Sequence, residues 1–181
     1  MTFIFEDLDS TTRDLMLEEF EDDVAHGRVY ISARALPGSN TLYFDAQRDA
    51  FGSGDADSLS KALASAGVFL KVQSDGKRVN FRDAASALGD GQFVAYYCRA
   101  VCRRAIEEGT RVEVYRGQQT ATHRAGSDAL VGTRVDPATV LDELRVHSLE
   151  PNRFSLVGKV NSGLVVRLPK MRSRSNCGVK N

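Results

Sequence analysis

GQFVAYYCRAVCRRAIEEGTRVEVYRG, residues 91–117, decides how this chain folds. Phe93, Tyr96, Tyr97, Ala100, Val101 and Ile106 recur largely at helical spacing, which places them on one face of an α-helix. Cys98, Cys102 and Ala105 widen that face, so the helix is expected to be buried over one broad side. Arg99, Arg103 and Arg104 are expected to lie away from it, the last two beside the negative end of the helix dipole. Gly109 marks the joint. Arg111–Arg116 then alternates as a half-buried strand does, with Val112 and Val114 on one face and Arg111, Glu113 and Tyr115 on the other. Helix and strand together form the centre of a fold and carry no catalytic arrangement.

Upstream, Asp9 or Ser10 caps a helix running to about Ala25, with Leu15, Met16, Phe20 and Val24 as its apolar stripe. Val29–Ser32 reads as a short strand, and Leu42–Phe51 as a helix that ends at Gly52-Ser53-Gly54. Asp57 or Ser58 caps another helix, whose buried face is Leu59, Ala62, Leu63 and Ala66. Val68–Gln73 and Lys77–Phe81 flank Ser74-Asp75-Gly76, which predicts a hairpin. Downstream, Gly117–Ser127 reads as an exposed loop. Asp136-Pro137 opens a helix buried through Val140, Leu141 and Leu144. Leu164–Leu168 is a last strand, halted by Pro169. The chain lacks the regular βα alternation of a doubly wound sheet, so its class is α+β. We expect one small domain, residues 1–169, of short strands with four to five helices, followed by a basic C-terminal arm, residues 170–181.

Composition narrows the function classes. The chain has 181 residues, 42% of them hydrophobic, enough for one sizeable core. No apolar run is long enough for a membrane span, and Met1–Phe5 runs straight into acid, so neither membrane nor secretory leader is expected. Three cysteines make an odd, unevenly spaced set, unlike a disulfide framework. Cys98 and Cys102, one helical turn apart, could share a metal with His123, but buried free thiols suit the helix better. No nucleophile elbow, phosphate-binding Gly/Lys loop or His-Glu-x-x-His helix occurs. Tyr115-Arg116-Gly117 is a faint echo of the strand arginine of ADP-ribosyltransferases, with no matching Glu-x-Glu pair. No enzyme activity, cofactor or small-molecule substrate is expected.

Net charge is zero, but the charges are segregated. Residues 1–23 hold nine carboxylates against Arg13 alone, and residues 151–181 hold seven cations and no acid. Glu18, Glu19 and Glu21 are therefore expected to meet a neighbouring subunit or the chain's own basic end. Lys170, Arg172, Arg174 and Lys180 are the expected partner-binding cations. They interleave with serines and no aromatic residue, so any nucleic-acid contact would be with phosphate and without sequence preference.

Residues 1–32, the central YCRAVCRRAIEEGTRVEVYRGQQ, the SDALVGTRVDPATVLDELR helix and the closing NSGLVVRLP resemble a family of small uncharacterised actinobacterial phage and prophage proteins found near head and structural genes. The resemblance excludes residues 37–90 and the end of the chain from Met171, and it brings no catalytic residues. It implies a virion component made in the host cytoplasm: a minor capsid, decoration or head–tail protein bound to capsid or other virion subunits. Packaged DNA is a further contact for the arm. A phage- or host-encoded interaction or regulatory protein is the alternative.

Overall fold

A computed structural model of the chain describes residues 3–118, 125–158 and 162–170. Helix α1 (Ser10–Ala25) starts where the Asp9 side chain, on extended backbone, accepts the Thr12 N–H at 2.9 Å. Helix α2 (Asn40–Ser53) is followed almost directly by α3 (Ala56–Ser65). The α3 cap is Asp55, two residues earlier than expected: it accepts the Ser58 N–H at 2.7 Å, and Ser58 Oγ returns to the Asp55 N–H at 2.8 Å. Helix α4 (Phe81–Glu107) is capped by Asn80, and Gly109 turns the chain beyond it with φ of 64°. Strand β1 (Val112–Arg116), the single-turn α5 (Ala125–Asp128) and strand β2 (Arg134–Val135) follow. Helix α6 (Pro137–Val146), capped by Asp136, a 3-10 turn (Pro151–Arg153) and strand β3 (Leu164–Arg167) complete the described elements. Strand β1 is central and antiparallel to both neighbours, with Val112 opposite Val135 and Val114 opposite Val166. The class is α+β, as expected.

Helix α4 threads the middle, packed by α1, α3 and α6 and by strands β1 and β3. Phe93, Tyr97, Val101, Cys98, Cys102 and Ala105 have no solvent exposure. Helix α3 comes close because Gly89 has no side chain: a Cβ there would lie 2.4 Å from Ser60 Oγ and 3.0 Å from the Ser60 nitrogen. Edge-on ring contacts knit α1, α2 and α4, with Phe20 on Phe51 and Tyr96 and Phe51 on Phe93. Residues 3–9 cross this core as a strap, placing the Phe5 ring against Phe93 and Tyr97.

Several expectations are corrected. The hairpin shrinks to a single bridge between Val72 and Arg78, because Asn80 caps α4 and draws Phe81 into the helix. Val29–Ser32 forms no strand; Val29 packs into the core from irregular chain. Ile106 is 45% exposed, since the last turn of α4 projects past its neighbours. Arg99 is only 2% exposed, because α1 and α6 close over the face that spacing alone marks as outer. Ala62 is exposed and Gly117 is buried, each against expectation. Among the described residues, no helix is long and apolar enough to cross a membrane.

Candidate functional site

The acidic face of α1 is largely answered by arginines of its own chain. Asp23 is buried and accepts from Arg99 Nη1 at 2.5 Å, Tyr96 Oη at 3.0 Å and Arg28 Nε at 3.0 Å. The other Arg99 terminal nitrogen donates to the Leu144 carbonyl of α6 at 2.9 Å, and its guanidinium lies over the Tyr96 ring. Glu19, 5% exposed, takes both Arg145 Nε (3.0 Å) and Nη2 (2.5 Å), with Arg103 at 3.5 Å. Glu19 thus faces inward and ties α1 to α6. Glu18 and Glu21 stay on the surface, paired with Arg103 at 2.8 Å and with Arg48 at 2.6 Å. The Arg48 hydrogen bond holds the Glu21 carboxyl below its ordinary range.

A second charged junction joins the chain's two ends. Arg167 of β3 pairs with Glu6 at 2.5 Å and with Glu113, while Lys170 reaches Glu6 at 3.2 Å. Asp7 Oδ2 accepts the Leu168 N–H at 2.8 Å. Burial alone would raise the Glu6 carboxyl, but hydrogen bonds from Arg167 and Lys170 outweigh it and hold it low. At Asp7 burial wins and its carboxyl titrates above the usual range, despite the Leu168 N–H. The strap is held by tyrosines: Tyr115 donates to the Ile4 carbonyl at 2.8 Å, and Tyr97 Oη accepts the Asp7 N–H at 3.1 Å. The basic C-terminal edge is therefore anchored to the acidic N-terminal strap. Lys170 is 75% exposed in side chain; Arg172, Arg174 and Lys180 lie outside the described residues.

The remaining candidates are structural in setting. Cys98 and Cys102 are free and buried. Burial pushes the Cys98 thiol up to about 12, against a hydrogen bond from the Val166 N–H. His123 and Cys177 lie outside the described residues, and among those described no three His, Cys, Asp or Glu side chains converge as a metal site. Arg116 is engaged at the end of β1, donating to the Ser162 carbonyl at 2.9 Å and to Asp128 at 2.6 Å.

One feature escaped the residue patterns. A cleft of about 440 Å3 opens between the first half of α4, the irregular residues 30–34, Gln73 and the 3-10 turn. Gln92, on α4, borders it; the residue is 6% exposed and its side-chain amide bonds no described residue. Gly91 forms part of the wall, and a Cβ added there would meet nothing within 4 Å. A Gly-Gln pair inside an otherwise apolar helical stretch is the signal that could have marked it. No protein family, curated protein or solved structure matches this chain.

Proposed function

We propose that this protein is a non-enzymatic component of a bacteriophage particle that binds neighbouring subunits through its basic C-terminal end. The observation that carries the reading is the junction of Glu6 and Asp7 with Arg167, Leu168 and Lys170. It fixes the root of a segment whose further residues include Arg172, Arg174 and Lys180 and no acid. Such a segment has too little apolar surface to offset its own ordering entropy, so an acidic partner surface suits it. The resemblance to phage proteins supplies the setting. The inward pairing of Glu19 and Asp23 favours the C-terminal edge over the α1 face as the binding surface.

Deletion of residues 171–181 tests this. The truncated protein is expected to keep its melting temperature, while mass spectrometry of purified particles reads a loss of its fixed copy number. Full incorporation of the truncated chain, or absence of the intact chain from particles, overturns the proposal. Steep salt dependence of binding to random-sequence DNA would instead place the arm on nucleic acid.

A further inference from the structure

The cleft beside Gln92 mixes apolar and polar walls, and its wall residues include one cation, Arg34, and no carboxylate. Its volume, about 440 Å3, lies in the range of small-molecule sites. Gln92 is 6% exposed and lines the cleft, and its amide bonds no described residue, so that amide keeps its hydrogen-bonding capacity for an occupant. Helix interiors also disfavour glycine, yet Gly91 relieves no clash and leaves open space at the wall. The two observations are independent, and both describe room and hydrogen-bonding capacity left for something else.

The chemistry of the wall narrows that occupant. Arg34 Nε donates to Gln73 Oε1 at 3.4 Å, and the Arg34 charge also acts on the nearby Asp75 carboxylate without a direct contact. This contact leaves its two terminal nitrogens as a fork suited to a carboxylate. Gln92 offers one donor group and one acceptor, the pair that a peptide group presents in reverse. Ala84, Ala87, Leu88 and Gly91 add an apolar surface to the same wall. We propose that the cleft binds a short N-acylated amino-acid carboxylate, its anion on Arg34 and its amide on Gln92. The same chemistry occurs in a free N-acyl amino acid and at the C-terminus of a peptide.

Nuclear magnetic resonance titration of the full chain with N-acetyl-dialanine tests the assignment. Saturable shifts of the Gln92 and Gln73 side-chain amide signals are expected. Binding should weaken at least tenfold when the probe's carboxylate is replaced by an amide, and equally in Arg34→Ala, an exposed position whose change leaves the core untouched. Gly91→Leu, which fills the wall, should abolish the shifts; if that variant does not fold, Arg34→Ala decides alone. Extending the probe at its amino end with four Gly/Ser residues distinguishes the sources: unchanged affinity marks a chain terminus, weakened affinity a free small molecule. No Gln92 shift at millimolar probe, or equal binding by the uncharged probe, overturns the proposal. Particle incorporation is a separate readout, so this site and the arm succeed or fail independently.

Discussion

In the second half of α4, buried Arg99 has Asp23 at 2.5 Å, the Leu144 carbonyl at 2.9 Å and the Tyr96 ring. In the first half, Gln92 is nearly as buried and bonds no described residue. The contrast separates two uses of interior polarity. Where buried carboxylates meet their cations, the charged groups hold helices in register, although Arg99 Nε is itself buried without a partner. Where an amide lines a cleft without a described protein partner, its hydrogen-bonding capacity is open to a ligand.

Arg99→Met should destabilise by about 3–5 kcal/mol, because Asp23 would be left buried with a weaker set of partners. Urea unfolding measures it. Changing Asp23→Leu in the same chain should recover much of the loss, since removing both charges also removes the desolvation problem. A loss below about 1 kcal/mol for Arg99→Met would mean that the second half of α4 is no better satisfied than the first.

Gln47 sharpens the comparison from α2. It is fully buried, and neither its Nε2 nor its Oε1 has a hydrogen-bond partner. Unlike Gln92, it borders none of the cavities described for this fold. Gln47→Leu should therefore raise stability by roughly 1–2 kcal/mol, read as a higher melting temperature. A lower melting temperature would show that the buried Gln47 amide serves a structural bond.

Gly91→Ala is expected to stabilise α4 by about 0.5–1 kcal/mol, because alanine is the better helix former and its methyl group meets no atom. The comparison with Gly89 is internal to the same helix. There the added methyl would strike Ser60, so Gly89→Ala should destabilise. Thermal melts of the two variants should move in opposite directions. If both fall, position 91 is constrained by the fold and its openness has no bearing on a ligand.

Much of this molecule was legible because its signals are local. Asp9, Asp136-Pro137 and the alternation of Val112 and Val114 each act within a few residues and match the structure, except that Tyr115, expected on the face opposite the valines, is buried too. The Ser74-Asp75-Gly76 turn was read correctly as a reversal, with Gly76 at positive φ, yet its flanks do not zip into a ladder because Asn80 starts a helix. Arg99 and Glu19 were misplaced for one reason: the elements that bury them, α1, α4 and α6, are far apart in sequence. The charge segregation was visible, but its partners on α4 and α6 could not be paired from spacing. The cleft draws on residues from the stretches 30–34, 84–92 and 151–152 and on Gln73, which no linear motif joins.

Asp90, in the first half of α4, gives a smaller effect. Burial raises its carboxyl to about 6, with the charge of Asp57 adding to the shift and the Ser86 hydroxyl, at 3.4 Å, opposing it. A carboxyl raised on folding binds its proton more tightly in the native state. It therefore supports stability below the unfolded value near 4, and that support is lost as pH rises through about 6. Asp90 is partly exposed, so solvent screening holds the effect to about 0.5 kcal/mol. Asp90→Asn should remove this slope, leaving the variant slightly more stable than the parent at pH 7 and no more stable at pH 4. Unfolding free energies at the two pH values supply the measurement. A variant that is less stable at pH 7 would mean that the Asp90 carboxylate has a favourable charged partner there, and the first half of α4 would then resemble the second.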